Sequence, residues 1–439
     1  MKFAVHESES LAFVRSLPDA SVDCVVTDPP YGLGKEPDAV AMLRDWMTSG
    51  HHDHKGGGGF MGKKWDAFVP QPAFWAECLR VMKPGAHLVT FGGTRTFDLV
   101  TLGLRIAGFE VRDVLAWMYG SGFPKSLDVS KAIDKEAGAV REVLSERPAY
   151  GIGGNASFNG HADGAVARIT APATPAAQAW EGWGTALKPA WEPVVLARKP
   201  LAGTVAENVQ RFGVGALNVD GCRIGEPSAT FPKVRNARIF QTGAGGQEVS
   251  DNNLGRWPAN VVLDEAAGAV LDEQSGELQS GDPCGIKAGG QLNTFGVFAG
   301  GIPVTGYGDA GGASRFFYCA KASRSEREAG LREAGLGVGA LRDGERLETT
   351  GRNHHPTVKP IALMRWLVRL VTPPGGTVHD FFTGSGTTGC AAMLEGFDFT
   401  GCDREADYVE IARARIEFWR KASPSHVQAE FGEFSGVGK

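Results

Sequence analysis

The sequence predicts an α/β fold: a mixed, mainly parallel sheet with helices on both faces and a large loop-rich insertion. Three observations predict it. Strand-period and helix-period segments alternate through the first 120 positions and again beyond 350, a pattern that packs as parallel strands joined by crossover helices. The apolar runs stop at Gly, Pro and Asp turns. Glycine supplies 61 of 439 residues, about twice its usual share, and 29 of these lie between 151 and 315, where apolar periodicity fades.

In chain order, Ser8 to Leu17 reads as a short amphipathic helix and Val22 to Thr27 as a buried strand. Gln71 to Met82 is a second helix, and Ala86 to Phe91 a strand entered through a Lys83-Pro84-Gly85 turn. Thr96 to Ala107 reads as helix and Glu110 to Met118 as strand. The pattern breaks from about 120 to 190 and returns at the strand Trp191 to Lys199. The glycine-rich middle reads as an inserted module outside the scaffold. Lys359 to Val371 has helical apolar spacing with Pro360 at its first turn. A strand Thr377 to Asp380, a helix Thr387 to Leu394, a strand Phe397 to Cys402 and a helix Glu405 to Trp419 follow. The expected divisions are 1–200, with a loop insertion over about 120–190, then 201–350, 351–422 and a mobile tail 423–439.

With 22% charged and 42% hydrophobic residues the chain is neither disordered nor fibrous, and its length suits two or three domains. A net charge of -5 argues against electrostatic coating of nucleic acid, so any DNA contact must be locally patterned. No long apolar run or signal-peptide plan is present, and seven scattered cysteines without a C-x-x-C pair point to reduced thiols, a cytoplasmic location and no membrane. His51-His52-Asp53-His54 sits beside Lys55 and four glycines and reads as a solvated loop, so no metal is expected. Lys233, Arg235 and Arg238, and Arg315-Phe316-Phe317-Tyr318 with Lys321, Arg324 and Arg327, are candidate nucleic-acid contacts. Trp180, Trp183 and Trp191 read as core anchors.

Two segments carry chemistry. His379 to Gly389 is a strand running into a glycine loop that opens a helix; Gly384, Gly386 and Gly389 satisfy G-x-G-x-x-G, the Rossmann-like pattern, and Asp403 follows 19 positions after Gly384. Glycines let a ligand approach the backbone, and a carboxylate at the next strand's end can hold a ribose diol. Taken alone, this also fits a nicotinamide dinucleotide. At the other segment, Asp28-Pro29-Pro30-Tyr31 ends an apolar strand at the carboxyl edge of the sheet, where α/β ligands bind. It offers a carboxylate, carbonyls without competing proline N–H groups and a flat aromatic face, which suits a planar ring bearing an amino group.

With both segments in view, the chain resembles the S-adenosylmethionine-dependent amino-methyltransferases of DNA in the order called the β class. In that family [D/N/S]-P-P-[Y/F/W] is catalytic and F-x-G-x-G binds the methyl donor; here they are Asp28-Pro29-Pro30-Tyr31 and Phe382-Thr383-Gly384-Ser385-Gly386, 354 positions apart and in β-class order. A third element, H-P-x-x-K-P, is matched by His355-Pro356-Thr357-Val358-Lys359-Pro360. The resemblance covers about 1–120, 190–200 and 350–420. Phe381 stands where the family usually has Pro, and His6-Glu7-Ser8 where it often has Gly-Asp.

The resemblance implies S-adenosylmethionine as cofactor, double-stranded DNA as partner and methylation of a flipped base. Relatives of this class are often dimers, and the sequence carries no readable sign of a partner nuclease. Asp28, Pro29, Pro30 and Tyr31 are the implied catalytic residues. His355, Thr357, Lys359, Asp380, Phe382, Gly384, Gly386, Thr387, Thr388 and Asp403 are implied on the donor, with Asp403 on its ribose, Asp380 on its methionine portion and the N-terminus of the helix after Pro360 on its carboxylate. Asp at the first motif position favours adenine N6 over cytosine N4. A nicotinamide oxidoreductase and a non-catalytic DNA-binding protein are the other classes open to the sequence.

Overall fold

The computed structural model describes residues 1–59, 64–120, 122, 126–148, 166–225, 255–279, 309–320, 324–331, 333–336, 353, 355, 357–422 and 426–427, with short strand pieces between 234 and 346. The chain opens with β1 (Phe3–Glu7), α1 (Ser10–Ser16), β2 (Val22–Thr27), α2 (Ala39–Ser49), α3 (Pro72–Val81), β3 (Met82–Phe91), α4 (Phe97–Ala107) and β4 (Glu110–Met118). Next come α5 (Val129–Glu136), β5 (Val143–Pro148), β6 (Val166–Thr170) and α6 (Pro175–Ala179). The remainder supplies β7 (Trp191–Arg198), α7 (Val205–Phe212), β8 (Val261–Asp264), α8 (Glu265–Ser275), β9 (Tyr318–Ala320), α9 (Arg324–Glu328), α10 (Ile361–Val371), β10 (Thr377–Asp380), α11 (Thr387–Glu395), β11 (Asp398–Asp403) and α12 (Ala406–Lys421).

Nine strands form one sheet in the order β1-β11-β10-β2-β3-β7-β4-β8-β9. The neighbours from β1 to β3 all pair parallel, whereas β7 runs antiparallel to β3, with Phe91 opposite Val194. Successive side chains of a strand face opposite sides, and β2 shows both layers. Val25 joins a core with Phe13 of α1, Trp75 of α3 and Leu104 of α4, while Cys24 Sγ lies 3.4 Å from Thr372 Oγ1 at the end of α10. All eleven residues of α10 are buried. Its Arg365 and Arg369 clamp the Glu395 carboxylate of α11 at 2.7 and 2.6 Å, so two guanidinium groups share one carboxylate within the layer.

Residues 119–191, which take in the first residue of β7, form a compact unit of their own. Its β5 and β6 pair antiparallel, and buried Asp134 accepts hydrogen bonds from Arg141 Nη1 at 2.6 Å and Thr174 Oγ1 at 2.8 Å. Trp180 and Trp183 are not core anchors. They are 46% and 60% exposed and lean edge-to-face on each other at 5.1 Å; Trp191 is also exposed.

Several expectations need correction. Lys83-Pro84-Gly85 does not precede β3 but bulges within it, the register jumping from Val22↔Met82 to Cys24↔His87. Pro360 caps α10 from outside rather than occupying its first turn. The glycine-rich middle is not wholly outside the scaffold: β8 and β9 extend the sheet beyond β4. Phe381, standing where proline was expected, is fully buried against Phe13 and Phe74 at 6.3 and 6.4 Å, so it anchors the turn by packing instead of by a fixed φ. Lys233, Lys321 and most of the tail fall outside the described residues, as do the side chains of Arg235, Arg238 and Arg324. Among the described residues, no helix is long and apolar enough to cross a membrane.

His379 of β10 is buried, its Nδ1 has no hydrogen-bond partner, and burial pushes its pKa down to about 4 from 6.5. The ring is therefore neutral when folded. As pH falls from 6.5 towards 4 the unfolded chain takes up a proton that the folded chain refuses, and stability is lost over that window. His379→Leu is expected to remove this loss, improving acid stability by about 3 kcal/mol at pH 4 relative to pH 7. Urea unfolding at the two pH values measures it; equal differences between variant and wild type at both would contradict it.

Candidate active site

β2, β10 and β11 are neighbours and parallel, so their carboxyl ends deliver Asp28, the 381–386 turn and Asp403 to one edge of the sheet. The two sequence segments meet there: Thr27 Oγ1 donates to Asp380 Oδ1 at 2.6 Å, linking the residue before Asp28 to the strand that opens the glycine loop.

The strand tip is held on several sides. Asp66, buried on a short turn of residues 64–66, accepts the amides of Tyr31 at 2.6 Å and Gly32 at 3.2 Å. Thr96 Oγ1 donates to the Tyr31 carbonyl at 2.5 Å. Pro29 is buried and Pro30 half-buried, so the tip has little freedom to move. Lys359 Nζ lies 2.5 Å from Asp28 Oδ2, 3.1 Å from Tyr31 Oη and 3.5 Å from Glu192 Oε2. It also lies over the Phe91 and Tyr31 rings at 4.8 and 5.3 Å. The Tyr31 hydroxyl donates to Glu192 Oε2 at 2.7 Å. Asp28 Oδ1 is buried and without a partner.

The electrostatics follow from this burial. Burial raises the Asp28 carboxyl, with the Lys359 ammonium pulling it back, and raises the Tyr31 phenol well above its usual range. Burial opposes the charge on Lys359, but Asp28 and Glu192 outweigh it and the ammonium is held charged.

The glycine loop is braced from inside the protein. Asp380 accepts from Thr27, from Thr388 Oγ1 at 2.6 Å and from the Phe382 amide at 3.0 Å, and burial pushes its carboxyl up to about 6. Gly384 (φ +50°) and Gly386 (φ +82°) adopt left-handed backbone; a Cβ on Gly384 would stand 2.7 Å from His355 Nε2, and one on Gly386 2.8 Å from Ala412. Fully buried Arg415 of α12 donates through Nη1 to Ser385 O, Ser385 Oγ and Thr387 Oγ1 at 2.6, 3.0 and 3.1 Å. Asp403 accepts from the Gly384 amide at 2.8 Å and the Glu405 amide at 3.0 Å, and burial raises its carboxyl. Phe382 packs against Phe74 at 5.3 Å, and His355 stands edge-on to Tyr408 at 4.6 Å.

The implied donor residues thus separate into groups. Phe382, Gly384, Gly386, Thr387, Asp403 and His355 surround the loop. Asp380 and Thr388 are turned inward on each other, so Asp380 shapes the loop instead of offering a free carboxylate. Lys359 is on the strand tip, and Thr357 is exposed. The N-terminus of α10 is occupied, since buried Glu326 accepts from the Ile361 amide at 3.3 Å. Glu192, Asp66 and Arg415 escaped sequence reading; an acid opening the apolar strand Trp191–Arg198 was the one available signal.

The candidate basic cluster is largely spent on internal contacts. Arg315 lies over Phe316 at 4.3 Å, the Tyr318 hydroxyl donates to Ala362 O at 3.1 Å, and Arg327 donates to His355 O at 2.8 Å. His52 pairs with Asp45 at 2.6 Å, His54 stacks on Phe68 at 4.6 Å, and no metal-holding group occurs among the described residues.

A family model described as DNA methylase matches residues 22–137 and 320–414. The Type II methyltransferase M2.DpnII of Streptococcus pneumoniae is 44% identical over 63 residues, 14% of this chain and 24% of its own length. The Type II methyltransferase M.BglI of Bacillus subtilis is 38% identical over 63 residues, 14% of this chain and 18% of its own. The match thus spans a quarter or less of the curated relatives. The solved PvuII DNA methyltransferase (cytosine-N4-specific) is 12% identical at a TM-score of 0.43, covering 100% of this chain and 94% of that one.

Proposed function

We propose, from the match of residues 22–137 and 320–414 to the DNA methylase family model, that the chain transfers the methyl group of S-adenosylmethionine to the exocyclic N6 amine of an adenine flipped out of double-stranded DNA. The observation that carries this reading is the contact between the two motif strands, Thr27 Oγ1 to Asp380 Oδ1 at 2.6 Å, which sets the Asp28 tip beside the glycine loop.

The residues at the loop fit the donor. Each oxygen of Asp403 takes one amide hydrogen bond and, with about two acceptor sites per oxygen, retains capacity for a ribose diol. Gly384 and Gly386 let a ligand approach the backbone, and His355 and Phe382 flank the loop. Bound there, S-adenosylmethionine supplies a methyl already activated on its sulfonium, so the protein's task is presentation of the amine.

An exocyclic amine is a poor nucleophile because its lone pair is delocalised into the ring. Asp28 Oδ1 and the Pro29 carbonyl accept its two hydrogens, which favours a pyramidal nitrogen, localises the lone pair and stabilises the charge that develops on it. Tyr31 stacks on the base, whose extrahelical position costs about a few kcal/mol. The nitrogen–carbon bond forms as the carbon–sulfur bond breaks, and the nitrogen then sheds one proton, with Asp28 Oδ1 adjacent to receive it. The Asp at position 28 favours adenine through the family resemblance.

Nucleoside mass spectrometry of DNA from cells expressing wild type or Asp28→Ala tests this. N6-methyladenine in the wild type alone is expected. N4-methylcytosine alone would move the target base, and neither modification from folded protein would overturn the reading.

A further inference from the structure

We propose that Lys359 and Glu192 are positioning residues that act through Asp28 and Tyr31. The ammonium pins Asp28 Oδ2 so that Oδ1 is the acceptor presented to the target amine, and Glu192 anchors both the ammonium and the Tyr31 hydroxyl. The assignment rests on the methyl-transfer reading above and gives Lys359 a role away from the donor.

An ammonium has three N–H donors. Those of Lys359 have three acceptors within reach, Asp28 Oδ2, Tyr31 Oη and Glu192 Oε2, and the side chain is only 8% exposed between two aromatic rings. None remains for a donor carboxylate. Asp28, by contrast, keeps one oxygen buried and unpartnered, and that atom is the acceptor a target amine needs.

Charge explains why the second carboxylate is present. Asp28 and Lys359 alone would cancel, leaving a neutral tip facing an amine that becomes cationic as it is methylated. With Glu192 ionised, the trio carries two negative charges and one positive, a net -1, which stabilises that developing charge. The same carboxylate fixes the Tyr31 hydroxyl, and through it the plane on which a base stacks. Glu192 reaches this position because β7 is antiparallel to β3, which brings the start of β7 to the edge where β3 ends.

The groups facing Asp28 are Lys359, Glu192 from β7, Tyr31 of its own loop and Asp380 from β10. Removing a neighbouring cation must raise the pH at which Asp28 loses its proton, and removing a neighbouring anion must lower it. Lys359→Met is therefore expected to lower kcat by about 100-fold, to leave KM for S-adenosylmethionine within about 3-fold, and to move the acid limb of the kcat–pH profile to higher pH. Glu192→Gln is expected to move that limb to lower pH, and Lys359→Arg to restore the wild-type limb.

Titration of the Asp28 carboxyl carbon by ¹³C NMR, assigned by its loss in Asp28→Asn, reads the same opposite shifts without any turnover. Shifts of the same sign, or none, in Lys359→Met and Glu192→Gln would overturn the proposal. So would a Lys359→Met protein with a raised KM for S-adenosylmethionine and an unmoved limb. Wild-type protein inactive on both bases would instead defeat the methyl-transfer reading, while the titration still decides the pinning. Where Lys359→Met fails to fold, Glu192→Gln supplies the test by itself, with the Asp28 titration expected at lower pH than in the wild type.

Discussion

Asp28→Asn is expected to lower methyl-transfer turnover by two to three orders of magnitude, about 10²- to 10³-fold, with little change in S-adenosylmethionine affinity. The substitution keeps the shape of the side chain but leaves one acceptor oxygen instead of two. Lys359 Nζ, 2.5 Å from Oδ2 in the wild type, has first claim on that oxygen. The amide NH₂ is then turned to the position of Oδ1, where it meets the hydrogens of the target amine donor against donor. The site also loses the negative charge that stabilises a cationic nitrogen. Single-turnover kinetics with radiolabelled donor measure the effect and calorimetric titration measures donor affinity; turnover within about threefold of wild type would contradict the assigned role.

The second large effect is expected at a residue remote from the reacting atoms. Arg415→Ala is expected to destabilise the protein by about 3–5 kcal/mol and to weaken S-adenosylmethionine binding at least tenfold. Arg415 is fully buried. Its Nη1 ties Ser385 and Thr387, and its Nη2 donates to Glu326 O at 3.2 Å, so one guanidinium joins the glycine loop to the segment carrying α9. Alanine leaves those acceptors buried without partners and opens a cavity behind the loop, releasing the left-handed turn at 384 and 386. Urea unfolding and calorimetric donor titration check both parts; an unchanged unfolding midpoint would show that the loop holds its shape by itself.

The legible features were local ones. Val22–Thr27, Glu110–Met118 and Thr377–Asp380 appear with the boundaries their composition predicts, because a run of β-branched and apolar residues closed by a turn is written within a few positions. The Asp28 tetrapeptide and the loop glycines were legible for the same reason. One side needs a carboxylate beside two prolines, the other needs left-handed backbone, and both requirements belong to the residues themselves.

What only the tertiary structure decided are the partners. Phe3–Glu7 is a strand because Asp398–Asp403 lies beside it, and nothing in five residues announces that. Glu192 enters the site because one strand of the sheet is reversed, and strand direction is set by pairing across the chain rather than by composition. Lys359 belongs to a motif whose resemblance placed it on the donor, yet packing over Phe91 and Tyr31 aims its ammonium at Asp28. The sequence by itself determined which groups could do chemistry and which turns could hold them. Long-range pairing and burial determined which groups face each other, because those energies depend on neighbours that lie hundreds of residues away along the chain.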